Sequence, residues 1–172
     1  VIVYCRRKDH CSDLFELFKM CLGKKGLLDK DRSEYDPSNR YYAMYRSKTP
    51  EEVKQIVGKS MQDPNGVVRI VFSTIAFGMG VDVQDVQHTV HLGPSTDTAD
   101  YLQECGRAGR DSKRSYAVLV KYPYCTSGTP VNASMREYIS IKSCQRIHLL
   151  KDFDKEPVCP SPKHLCCDNC QM

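Results

Sequence analysis

The chain has 172 residues, 41% of them hydrophobic, with 25 Lys and Arg against 21 Asp and Glu and a formal charge of +4. That length suits one domain of ordinary size with a small appendage, and the apolar share is enough to build a core. The charge permits a nucleic-acid partner without demanding one, and no apolar run approaches the roughly 20 residues a membrane-spanning helix needs.

"VIVYC" (1–5) reads as a short buried strand, followed at once by Arg6 and Arg7. It has no lead-in and no signal-peptide pattern before it, so we expect a piece of a longer protein. "HCSDLFELFKMCLG" carries Leu14, Phe15, Phe18 and Cys21 or Leu22 at helical spacing and stops at Gly23. A polar connection leads to a second strand, "YYAMY" (41–45). Thr49 as N-cap, Pro50 at the first helical position and Glu52 as the capping-box partner then predict a helix to Gln62. "DPNG" (63–66) is a turn, "VVRIVFST" (67–74) a third strand and "VQHTVHLG" (86–93) a fourth. Thr96 or Asp97 caps the next helix, and "SYAVLVKY" (115–122) is the fifth strand. Strands alternating with helices imply an α/β fold, a parallel sheet with helices on both faces. In such sheets ligands gather beyond the strand carboxyl ends, here the loops "STIAFGMGVD" and "GPSTDTAD".

Two prolines and a run of Ser and Thr in "YPYCTSGTPVNAS" (122–134) mark a boundary, which divides the chain into 1–124 and 125–172. The second part opens with a helical stretch to about 153 and ends in "PVCPSPKHLCCDNC", a tail too poor in apolar residues to form a core. Ten cysteines are present, and five of them (Cys144, Cys159, Cys166, Cys167, Cys170) fall after residue 143. A secreted disulfide scaffold would spread its pairs, so we expect a reduced intracellular protein with a terminal metal site. Structural zinc takes four ligands in a tetrahedron, often two from a C-x2-C turn. Cys167 and Cys170 form such a turn, with Cys159 before it and Cys144 on the preceding helix, while Cys166 and His164 compete for places. The ligand set expected is Cys144, Cys159, Cys167 and Cys170.

"GKS" (58–60) imitates the end of a phosphate-binding loop, but Val53 stands where its first glycine belongs and a helix, not a strand, leads into it. "YLQECGRAGRD" (101–111) is more telling. Gln103, Arg107 and Arg110 would share one face of a helix, two fixed cations and an amide aimed at an anion. Gly106 and Gly109 each cost a helix about 1 kcal/mol against Ala. Either something approaches that backbone closely or the helix is short.

"VIVYCRRKDHC", "RIVFSTIAFGMGVD" and "YLQECGRAGRD", in this order, resemble motifs IV, V and VI of superfamily 2 helicases, in the form seen in the RecQ family. The terminal cysteines resemble the RecQ zinc-binding subdomain in its Bloom-type arrangement. The resemblance covers nearly the whole chain and implies a RecA-like second motor lobe followed by a small helical zinc-binding subdomain. It implies an ATP-dependent 3′–5′ DNA helicase acting in repair, recombination or replication in the nucleus, with single-stranded or duplex DNA as partner. ATP and magnesium would be held mainly by a first lobe carrying the phosphate-binding loop, which this sequence lacks, so the fragment is expected to be a monomer that does not hydrolyse ATP by itself. By the resemblance Arg110 is the arginine finger, Arg107 a second phosphate contact and Gln103 part of the same network. Asp82 hydrogen-bonds the ATP ribose beside Gly80, and Ser73, Thr74, Arg6 and Arg7 meet the DNA backbone. The chain departs from the family at Arg46, Ser95 and Ser112, where histidine, proline and glycine are usual. A zinc-stapled binding module would not need Arg107 and Arg110, and the terminal cysteines argue against an RNA-helicase lobe.

Overall fold

A computed structural model describes residues 1–74, 83, 86–111, 113–128 and 130–171. Five parallel strands form one sheet in the order β2-β3-β1-β4-β5: β1 (Ile2–Cys5), β2 (Tyr42–Tyr45), β3 (Ile70–Ser73), β4 (His88–Leu92) and β5 (Tyr116–Val120). β1 is central, with Ile2 opposite Val71 of β3 on one side and Thr89 of β4 on the other. Helix α1 (Lys8–Leu22) crosses from β1 toward β2, and α2 (Glu51–Gln62) from β2 to β3.

The period-two alternation of the strands assigns each helix a face. Ile2, Tyr4, Ala43 and Val71 point to the side where Val53, Val57 and Met61 of α2 lie. Their neighbours in register, Tyr42 and Phe72, point to the opposite side and meet Phe15 and Phe18 of α1, with Phe18 and Phe72 at 4.9 Å. Fully buried side chains such as Val57 and Val71 each contribute about 1.5–3 kcal/mol on removal from water. The helices thus cover both faces of a parallel sheet.

The element ends differ from the sequence reading for local reasons. β3 is shorter than 67–74 because the Val68 N–H donates to Ser60 Oγ at 2.9 Å instead of entering the ladder. Thr49 does not cap α2. Its hydroxyl accepts from the Arg46 N–H at 3.0 Å and closes the loop after β2, so Pro50 takes the cap position without a side-chain bond.

The chain divides into two compact units. The α/β unit comprises residues 1–93 and 103–123, and the second comprises 94–102 and 124–172. The second unit therefore includes a segment N-terminal to the sequence boundary at 124. The reason is visible in its contacts: the Asn132 N–H donates to the Thr96 carbonyl at 2.8 Å, and the Tyr101 and Tyr138 rings lie 5.3 Å apart. This unit holds α4 (Ala133–Tyr138) and α5 (Gln145–Leu150). Val131, Met135 and Tyr138 are buried, and no described residue beyond Tyr138 is. Among the described residues no helix is long and apolar enough to cross a membrane.

Candidate functional site

Helix α3 (Thr98–Cys105) ends before the arginines, so Arg107 and Arg110 sit on a turn rather than on a helix face. The short-helix alternative is the one realised. The Arg107 N–H donates to the Glu104 carbonyl at 3.3 Å and the Ala108 N–H to the Cys105 carbonyl at 3.0 Å. The Gly109 N–H reaches the Val86 carbonyl at 2.9 Å, fastening the turn to the segment that leads into β4. Gly109 has φ +76°, and a Cβ there would lie 2.6 Å from Ser115 Oγ and 3.3 Å from the Lys113 carbonyl. Only glycine meets both demands. Arg110 is exposed and its Nε donates to the Gly106 carbonyl at 3.3 Å, while Gln103 is exposed on the last turn of α3. Asp111 receives Lys113 at 3.0 Å, and those hydrogen bonds hold its carboxyl below the usual range.

The other residues read from the sequence are scattered around the sheet. Arg7 is exposed and pairs with Asp9 at 3.1 Å, while Arg6 is half-buried. Ser73 is buried, with its hydroxyl 2.8 Å from the Tyr45 carbonyl and 2.6 Å from that of Thr74, so it faces the protein's own backbone. Thr74 is half-buried at the strand end. Asp82 and Gly80 lie outside the described residues.

In the second unit the structure brings the thiols of Cys144, Cys166, Cys167 and Cys170 within 4.8 Å of one another. The sequence expectation differs in one member. Cys166 is in this mutual set, whereas Cys159 lies at its edge, 4.0 Å from Cys170 and also interacting with Cys166. His164 is exposed on a turn and outside the set. A tetrahedral zinc with Zn–S of about 2.3 Å requires sulfurs about 3.8 Å apart. The observed 3.6 Å between Cys144 and Cys166 and 3.4 Å between Cys167 and Cys170 fit that spacing. Burial raises the Cys144 thiol, but the Ile147 N–H and the neighbouring thiols outweigh it and bring it down to about 7. Hydrogen bonding with Cys167, which favours the protonated Cys170 thiol, is the main cause that pushes Cys170 up to about 12.

The sequence profile of the helicase conserved C-terminal domain matches residues 1–112. The chain belongs to that family. A putative ATP-dependent RNA helicase of Acanthamoeba polyphaga mimivirus is 33% identical over 62% of this chain and 22% of its own length. ATP-dependent DNA helicase Q4 of mouse is 32% identical over 72% of this chain and 10% of its own. The RecQ-like DNA helicase BLM of Xenopus laevis is 27% identical over 98% of this chain and 13% of its own. The chain therefore spans between a tenth and about a fifth of the length of these relatives. In fold it is similar to the C-terminal domain of the DEAD-box protein Dbp5, with a TM-score of 0.52 at 14% identity over 81% of this chain and 69% of that one.

Three contributors, two in the helicase lobe and one in the second unit, escaped the sequence reading. His91 on β4 is buried, and its Nε2 lies 3.0 Å from Glu104 Oε2 at the end of α3. A histidine inside an apolar strand was the available signal. Asn169, between the paired cysteines, donates its amide to the carbonyls of Ile141 (3.1 Å) and Ser143 (2.8 Å), lashing the C-x2-C turn to the chain just before Cys144.

Proposed function

We propose that the chain is the second motor lobe of a RecQ-type ATP-dependent DNA helicase, joined to a structural zinc subdomain. The observation that carries the reading is a four-thiol cluster following directly on a helicase C-terminal lobe. Motor lobes of this family do not need such a cluster for ATP chemistry, whereas a tail in which no described residue is buried needs a ligand to order it. Similarity to a RecQ-like relative that covers 98% of the chain, the cysteine region included, supports the same reading.

In this reading ATP and magnesium are held by a first lobe outside this chain. Arg110 reaches the γ-phosphate, where its always-charged planar fork stabilises charge developing during transfer. Arg107 adds a second phosphate contact and Gln103 links the network to DNA. Asp82 and Gly80 meet the ribose side of the nucleotide, while Arg6, Arg7 and Thr74 meet the nucleic-acid backbone, together with Ser73 through its main chain. Zinc, when bound by Cys144, Cys166, Cys167 and Cys170, supplies folding energy and no chemistry. The protein translocates 3′ to 5′ on DNA and works in the nucleus in repair, recombination or replication.

Similarity to a putative RNA helicase favours a second reading, an RNA-directed motor. Stimulation of ATP turnover in the full-length protein separates the two. Single-stranded DNA raises turnover far more than RNA of the same sequence if the first reading holds, and the reverse ranking replaces it with the second.

A further inference from the structure

Beneath the "GRAGR" turn lies a buried trio that none of the roles above uses. His91 is 1% exposed and Glu104 is 8% exposed, an imidazole and a carboxylate in 3.0 Å contact inside the α/β unit. The His91 ring is stacked on Tyr4 of β1, with centroids 5.0 Å apart and planes inclined by 19°. Burial raises the Tyr4 phenol above its ordinary value, with Glu104 adding to the rise and Arg107 and Arg110 opposing it. The fields of both arginines thus reach this trio.

Burying an imidazole–carboxylate contact is not a cheap way to stabilise a fold. The desolvation of such a pair commonly equals or exceeds its mutual attraction, and apolar residues of similar volume often do as well. What the pair does supply here is direction. Glu104 is the next-to-last residue of α3, and its own carbonyl accepts the Arg107 N–H at 3.3 Å. Its side chain is tied to β4 through His91, and Gly109, at the far end of the turn, is tied through Val86 to the segment before β4. The arginine turn therefore hangs between an attachment to β4 and one to the segment that leads into it. Tyr4 carries the linkage to β1, which runs out into Cys5, Arg6 and Arg7.

We propose that His91 and Glu104 are positioning residues for the arginine turn, setting where Arg107 and Arg110 stand relative to the phosphate. The proposal rests on the reading of Arg110 as the finger and deepens it. A displacement of the turn by about an ångström is enough to cost on the order of 100-fold in rate while leaving ground-state binding intact.

The test is DNA-stimulated ATP turnover of the full-length protein, with melting temperature read beside kcat and KM. The decisive variant is the double replacement His91→Phe with Glu104→Met, which keeps the stacking ring and the volume while removing the polar contact. A melting temperature at or above that of the wild type is expected, with kcat about 10- to 100-fold lower and KM for ATP within about twofold. Wild-type turnover in a double variant that is folded would reduce the pair to a structural contact and overturn the proposal. Should that variant not fold, the single replacements Glu104→Gln and Glu104→Met are compared instead. Glutamine keeps an oxygen at the contact and is expected to stay within about threefold of wild-type kcat, while methionine falls by about tenfold or more. Equal rates for the two overturn positioning. Arg110→Ala is measured in parallel: if it keeps full turnover, the finger reading fails and this proposal with it. If it is inactive while the His91 and Glu104 variants turn over normally, positioning alone fails.

Discussion

The α/β unit and the cysteine-bearing unit solve the same problem by different physics. In the first, Cys11, Val57 and Val71 are completely buried, the sheet is closed on both faces by helices, and glycine appears where φ is positive and space is short. In the second, Tyr101, Met135 and Tyr138 are buried near its start, and nothing described after Tyr138 is. There the thiols of Cys144, Cys166, Cys167 and Cys170 and the amide of Asn169 hold together what burial does not. One chain thus contains a region ordered by the hydrophobic effect and another that, on the proposed reading, a metal would order. The two should fail independently.

Metal removal is the strongest way to break the comparison. Structural zinc binding supplies roughly 10–16 kcal/mol in small sites, and much of this is folding energy. Chelation, or Cys167→Ser, is expected to abolish hydrogen-exchange protection across 141–171 while strands β1 to β4 keep theirs. Loss of protection in both regions together would show one cooperative unit. Elemental analysis should find one zinc per chain in protein purified without chelator.

A smaller, opposite effect is expected at Gly109. Alanine there adopts a left-handed backbone and brings a Cβ against Ser115, destabilising the α/β unit by roughly 1–3 kcal/mol. Thermal melting should show the fall in that unit only, with exchange protection around the cysteines unchanged. A fall of the same size in both would again contradict independence.

Much of this division was legible in the sequence, because the alternation of strand residues and the crowding of cysteines after residue 143 are local patterns. The helix faces follow from that alternation, whereas the strand order β2-β3-β1-β4-β5 came only with the structure. What escaped was decided by geometry between distant residues. Thr49 looked like an N-cap, yet its hydroxyl is taken by Arg46, because closing the loop after β2 competes with capping. Cys166 rather than Cys159 joins the mutual thiol set, since the turn at Lys163–Leu165 folds Cys166 back beside Cys144, and spacing along the chain does not encode that. Glu104 stands between Gln103 and Cys105 in a motif whose arginines draw the eye, and its partner His91 lies thirteen residues earlier on another element. The loop carrying Gly80 and Asp82 was legible only through resemblance, and its residues lie outside those described.

The central claim is that the "GRAGR" turn acts on the transition state of ATP hydrolysis. The most direct measurement is single-turnover hydrolysis by full-length Arg110→Ala, alongside a nucleotide titration of the same preparation. The account predicts a loss on the order of 10³-fold or more in rate with nucleotide affinity nearly unchanged, because the guanidinium meets charge that develops only as the bond breaks. Loss of affinity in proportion to loss of rate would make Arg110 a ground-state binder and contradict the account.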